Sequence, residues 1–318
     1  MFNGIINVYK EKGFTSHDVV AKLRGILRQK KIGHTGTLDP DAEGVLPVCL
    51  GSGTKLCDML TDRSKEYEAV MLLGLCTDTE DISGKVFARH EVAADEANIR
   101  DIIMSFVGEY DQIPPMYSAI KINGKKLYEL ARAGQEIERR PRRVVIDCLE
   151  IMEIELPRVK FRVGCQKGTY IRSLCRDIGE KAGCGACMES LVRTRVGEFT
   201  LDKAHTLSRI SGLAESGDIS RIITTVDSCF KAFPSVTVSG RAETLVRNGN
   251  MFSETESGVI RQDDAGRDGS EATRQRKDKE LFRVYMYGCG GARIFAGIYE
   301  FDGSRRAYKP VKMFPGGE

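Results

Sequence analysis

The run Val-Leu-Pro-Val-Cys-Leu at Val45–Leu50 has no polar break, and it follows a loop from Gly33 to Gly44 crowded with glycines, acids and a proline. Six apolar residues in succession cannot alternate between core and water as a half-exposed strand does. The run therefore reads as a strand or turn buried on both sides. The loop before it is consequently anchored in the core. That loop holds an aspartate, Asp39, confined between Leu38 and Pro40, and the question is what a carboxylate does there.

Other segments fix the fold class. In KEYEAVMLLGL, Tyr67, Ala69, Met71 and Leu73 share one face while Glu66 and Glu68 take the other, so Tyr67 points inward. INVYK, VVIDCLEIMEI and VKFRVGC also read as strands. Thr15 and Asp18 have the spacing of a capping box, and the helix they open has Val19, Val20, Leu23, Ile26 and Leu27 on its apolar face. Its other side and exit carry Lys22, Arg24, Arg28, Lys30 and Lys31. A second helix, in KGTYIRSLCRDIGEKAG, buries Ile171, Leu174, Cys175 and Ile178 and stops at Gly183. Strands joined by hairpin-like turns and interrupted by helices predict an α+β fold with a largely antiparallel sheet.

A chain of 318 residues exceeds one typical domain. We expect a main domain over 1–232 and a small β-rich domain over 233–318, its strands read at both FPSVTVSGRAETLVRNGN and LFRVYMYGCGGARIFAGIYEFDGSRRAYKPVKMF. The stretch from about 253 to 280 has almost no apolar content and predicts a mobile insert. Within the main domain, about 112–143 forms a basic insertion: an Asn123–Gly124 turn, a short helix, and seven basic residues between Lys125 and Arg143.

Four histidines and no HExxH, GxSxG or Walker-type loop argue against zinc hydrolysis, serine acyl transfer and P-loop phosphoryl transfer. The ten cysteines are scattered through apolar segments and read as reduced core thiols. The Cys184–Cys187 pair has zinc-ribbon spacing but no second pair, so no metal is expected. No run of eighteen apolar residues and no signal-like N-terminus is present, which predicts a cytoplasmic protein without a membrane partner. A carboxylate remains for covalent work, and carboxylates attack carbon where a sugar or an activated ring is the target. Asp39 is the best placed.

The stretch GHTGTLDPDAEGVLPVCLGSGTK, residues 33–55, closely resembles the catalytic motif of the TruB family of tRNA pseudouridine synthases, which isomerise the uridine at position 55 in the T-loop of tRNA. The Tyr67 strand, PPMYSAIKINGKKLYELARAG, KGTYIRSL and GCGACMESLVRTRVGEF support it in the family's order, so the resemblance spans roughly 3–205. It implies a pseudouridine synthase core, and for the tail a PUA-like RNA-binding domain with a pseudo-barrel. It implies that Asp39 is the nucleophile, that Arg172 pairs with it, and that Tyr67 stacks on the target base and moves a proton. By the same resemblance His34, Tyr170 and Leu191 contact the nucleotide. Lys10, Lys55, Lys125, Lys126, Arg142 and Arg143 are expected on the RNA backbone, through salt-sensitive phosphate contacts. The substrate partner would be the T-stem-loop of tRNA, with no cofactor, no obligate protein partner and a monomeric enzyme.

Two departures stand out: Lys10-Glu11 where the family shows Lys-Pro, and cysteine at 187 where histidine is common. Two other readings share the RNA partner. One is an RNA-binding or tRNA-folding module with secondary or lost catalysis; the other is a synthase working in guide-RNA complexes, which would carry Lys-rich tails.

Overall fold

The computed structural model describes residues 1–122, 124–256, 258–262, 278–288 and 291–314, with the side chains of 260–262 left aside. Its main element is a ten-stranded sheet. Eight strands run across it in the order Ile223–Thr224, Gly4–Lys10, Glu43–Leu50, Ala186–Val196, Lys65–Leu73, Arg158–Cys165, Arg142–Glu155 and Gly108–Gln112. Ile32–His34 pairs with Glu43–Leu50, and Phe199–Thr200 with the end of Ala186–Val196.

All of these pairings are antiparallel except one. Glu43–Leu50 and Ala186–Val196 run parallel, and only through Val192 opposite Glu43 and Arg193 opposite Gly44. The Val45–Leu50 run is buried at every position, as six unbroken apolar residues require. Tyr67, Ala69, Met71 and Leu73 face the core, with intermediate exposure at the residues between them.

Helices cover the sheet where the sequence supplies an apolar stripe. Thr15 Oγ1 accepts from Asp18 N while Thr15 N donates to the Asp18 carboxylate, so the capping box opens helix Ser16–Ile26 as read. Val19, Val20 and Leu23 of that helix pack on Ile6, Val8, Leu46 and Val48. Helix Ile171–Lys181 packs Ile171, Leu174, Cys175 and Ile178 in a separate cluster with Ala69, Met71, Phe161 and Val163. Gly183 follows it with φ +76°, a left-handed C-terminal position suited to glycine.

A six-stranded sheet forms the C-terminal part, in the order Phe252–Ser253, Ala307–Met313, Arg293–Asp302, Leu281–Tyr287, Ser235–Val238 and Val259–Gln262. Ile298 and Phe314 of this part share a cluster with Ile5, Val45 and Leu56 of the first. Two expectations need correction here. GRAETLVR, read with the strands, is helix Gly240–Arg247 with Ala242 and Val246 buried one turn apart; their i, i+4 spacing is helical, and the surrounding strand pattern obscured it. Val259–Gln262, inside the stretch expected to be mobile, pairs with Ser235–Val238, because backbone pairing on a sheet edge needs little apolar side-chain area. Residues 263–277, Asn123 and Cys289 lie outside the described residues. The nine other cysteines are free thiols, and no helix among the described residues is long and apolar enough to cross a membrane.

Candidate active site

The Asp39 loop is held from three sides. Gly13 N and Lys10 Nζ donate to the Pro40 carbonyl at 2.9 and 3.1 Å. Leu38 N donates to Ser16 Oγ at 3.0 Å, which ties the loop to the first residue of the N-terminal helix. Thr35 N and Oγ1 both reach Pro47 O at 3.2 Å, folding the loop back on its own exit strand. Leu38 and Ala42 are buried on either side, so the chain cannot swing at Asp39 without pulling apolar groups into water.

The Asp39 carboxylate sits at the opening of this structure with 41% of its side chain exposed, and Arg172 Nε meets Oδ2 at 3.0 Å. Arg172 itself is 6% exposed. Nη1 and Nη2 donate to Thr79 O and Tyr117 O, each at 2.9 Å, and Asp81 Oδ2 lies 3.8 Å from Nη1. A guanidinium with its fork filled in this way cannot rotate away from the aspartate. Burial pushes the Asp39 carboxyl above its ordinary range, and Asp81 adds to that push; Arg172, and more weakly Lys10, pull it back down. Since the side chain still reaches solvent, its desolvation is partial and the ion pair is what holds the charged form.

Tyr67 lies across the sheet from Arg193 and Val163, in one apolar cluster with Leu38, Ile171 and Leu191. Burial raises its phenol above the ordinary value, the Arg193 guanidinium opposes this by charge and by a hydrogen bond, and the Asp39 charge reaches it. Tyr170 caps the helix that carries Arg172, with its N and O bonded to the Gln112 amide at 2.8 and 3.0 Å. Burial raises its phenol too, with Ser118, Arg142 and Arg172 opposing. His34 packs edge-on against His17 at 5.2 Å between ring centroids. Burial, His17 and Arg193 lower its pKa, so it is neutral near pH 7.

Asp39 meets Arg172 directly, and their chain neighbours Leu38 and Ile171 share a buried cluster with Tyr67 and Leu191, so four distant stretches of chain come together here with Tyr170 at the start of the Arg172 helix. Glu43 opens the strand after the loop and accepts from Tyr9 Oη at 3.1 Å.

The basic residues divide. Lys10 is 0% exposed, and its ammonium donates to Glu11 O, Phe14 O and Pro40 O. It is a brace for the loop, not a phosphate contact, and burial lowers its pKa to about 8. Lys55 Nζ donates to Met313 O at 2.8 Å and joins the two sheets. Arg143 is exposed but paired with Glu109 and Asp111, both at 2.9 Å. Lys125, Lys126 and Arg142 remain on the outside, the lysines on a two-strand hairpin with Gly124 at φ +82°.

Two residues of the site have no counterpart in the sequence reading. Asp81 is acidic in an acid-rich turn and gives no local signal. Arg193 occupies an inward strand position two residues after Leu191, and that period-two step was the available clue. A cavity of about 320 Å³ lined by Asn7, Lys203, His205 and Arg221 lies at the Ile223–Thr224 edge and includes none of the residues around Asp39.

Residues 24–171 match the TruB family pseudouridylate synthase (N terminal domain), and residues 172–231 the tRNA pseudouridylate synthase B C-terminal domain. The seam between the two matches falls inside helix Ile171–Lys181, so it is not a structural boundary. A tRNA pseudouridine synthase B of Lachnoclostridium phytofermentans is 50% identical over 98% of this chain and 99% of its own length. One from Alkaliphilus oremlandii is 54% identical over 68% of this chain and 73% of its own. Among solved structures, an H/ACA RNP bound to a substrate RNA containing 2′-deoxyuridine aligns with a TM-score of 0.69 at 26% identity, over 99% of this chain and 86% of that one. A Cbf5–Nop10–Gar1 complex aligns with a TM-score of 0.68 at 29% identity, over 98% and 84%.

Proposed function

The chain belongs to the TruB family of pseudouridylate synthases and is a tRNA pseudouridine synthase, an isomerase, and from that premise we propose that it converts uridine 55 in the T-loop with Asp39 as nucleophile. The carrying observation is the Asp39–Arg172 pair: a half-open carboxylate held at 3.0 Å by a guanidinium that is itself buried and anchored at both other nitrogens. In the reaction the bond from uracil N1 to ribose C1′ breaks, the base turns, and C5 bonds to C1′. The proton leaving C5 is balanced by one gained at N1, so the step is redox neutral. Asp39 holds the nucleotide covalently while the base turns, by its ring carbon or its sugar carbon, and Arg172 keeps the carboxylate charged for the attack.

A uridine inside a folded loop must leave its stack to reach this opening. Tyr67 offers the flat surface for the extruded base and the hydroxyl for proton movement, Leu191 the apolar wall, and Tyr170 and His34 neutral polar edges. Lys125, Lys126 and Arg142 serve the phosphates, with residues 1–232 as the catalytic domain and 233–318 as a PUA-like RNA-binding domain. The site of action is the cytoplasm, on free tRNA by a monomer; identity of 50% to a tRNA pseudouridine synthase B against 26–29% to chains of RNP complexes favours this over guide-RNA work.

The test is Asp39→Asn assayed on a T-stem-loop transcript with uridine at position 55. No pseudouridine should form while the transcript still binds. Product at the normal rate would instead remove Asp39 from the catalytic role.

A further inference from the structure

The structure carries a second buried arginine at the site, and we infer that Arg193 is a positioning residue, one guanidinium that fixes the Tyr67 hydroxyl and both flanks of the Asp39 loop together. The inference rests on the reading of Asp39 and Tyr67 given above. Arg193 is 1% exposed and among the largest fully buried side chains. Its Nε donates to Val45 O at 2.7 Å, just after the loop, and Nη2 to Gly36 O at 3.4 Å, just before Asp39. Tyr67 lies directly across the strand pair, close enough for the guanidinium to act on its phenol. These partners are neutral oxygens, unlike the carboxylate that meets Arg172.

Taking a guanidinium out of water is costly, and a well-packed apolar side chain in the same place is often no less stable. Leu191 shows that this face of the strand accepts one. What an apolar residue cannot do is donate to both flanks of the loop from one rigid fork while setting a cation beside the Tyr67 phenol. Arginine has no acceptor, so in any hydrogen bond between the two the Tyr67 oxygen accepts and the phenol's own O–H is left to donate elsewhere. The loop backbone packs directly on this residue: a Cβ at Gly44 would fall 2.3 Å from Arg193 O, and one at Gly36 would fall 3.8 Å from its guanidinium. The guanidinium also opposes the burial that raises the Tyr67 phenol.

The experiment is a double-mutant cycle of Arg193→Met and Tyr67→Phe, read as single-turnover pseudouridine formation on the T-stem-loop, with transcript affinity measured separately. Arg193→Met should slow the chemical step by about 10²-fold with affinity little changed, and in the Tyr67→Phe background the same change should cost several-fold less. Arg193→Lys, which keeps charge and one donor, should recover part of the rate and serves for the cycle if the methionine variant does not fold. The alkaline side of the pH profile should move upward in Arg193→Met, because the phenol loses its cation. If Arg193→Met costs the same with and without the Tyr67 hydroxyl, and the alkaline side stays put, Arg193 acts on stability alone and the proposal fails. Asp39→Asn run alongside separates the two readings, since an active Asp39→Asn removes the catalytic assignment itself.

Discussion

The loop around Asp39 and the basic segment from 112 to 143 adjoin the same opening, yet they are built in opposite ways. Nearly every backbone group near Asp39 is tied down: Pro40 O takes two donors, Leu38 N meets Ser16, and Lys10 is buried beneath. In the basic segment the strands are two residues long, the helix Leu127–Arg132 buries only Leu127, and most charges face water. Arg172 bridges the two, meeting Asp39 with Nε and donating to Tyr117 O from Nη2. The proposed role of Asp39 as nucleophile demands geometry within a fraction of an ångström, which internal support supplies. The phosphate contacts proposed for Lys125, Lys126 and Arg142 tolerate displacement and must be reachable, which fits their place outside.

Substitutions can break this contrast or sharpen it. Arg172→Met should have the largest effect, a loss of about 10³-fold in the single-turnover rate with transcript affinity changed little. A loss confined to binding would put Arg172 on the surface side of the comparison. Next is pH. The proposed attack needs Asp39 ionised, so the rate should fall as pH drops through its folded pKa, which lies above the ordinary carboxylate value. Arg172→Lys should leave that acid limb in place, whereas Arg172→Met should move it higher. The same raised pKa means that protonated Asp39 stabilises the fold below the unfolded value near ~4 and that this is lost as pH rises through the folded value. Asp39→Asn should therefore unfold no earlier than the parent at pH 7.

Lys10→Met removes the lysine donor from Glu11 O and Phe14 O and leaves Pro40 O to Gly13 N alone, and should destabilise by about 1–3 kcal/mol in denaturant titration, slowing the reaction without weakening tRNA binding. Weaker tRNA with unchanged stability would restore Lys10 to the RNA surface. The smallest effect is expected outside: Arg142→Ala should weaken tRNA several-fold and flatten the salt dependence by about one unit. Arg143→Ala should do less, because Glu109 and Asp111 already occupy that guanidinium.

Much of this was legible before any coordinates, where side-chain periodicity and turn chemistry act locally. The buried run after Asp39, the inward Tyr67, the Thr15–Asp18 capping box and the Gly183 stop each depend on neighbours within a few residues. Pairings across the chain were another matter. The union of Asp39 with Arg172 came from family resemblance, since no spacing relates residues 133 positions apart. Lys10 and Arg193 misled or escaped the reading for one reason: a charged residue in a strand is assigned to water by default. Both are buried because carbonyls from other segments converge on them, and such convergence leaves no trace in a local pattern.

Gly44 gives this architecture a mechanical meaning. Two antiparallel halves of the main sheet, one holding Asp39 at its border and the other holding Tyr67, are stitched together by a parallel contact only two residue pairs long. Gly44, at φ +106°, lies in that stitch. Any side chain there would act as a wedge, prying the halves apart at the weakest line of the sheet and widening the gap between nucleophile and tyrosine while leaving both untouched. The gauge of the active site is thus set by a residue with no side chain at all.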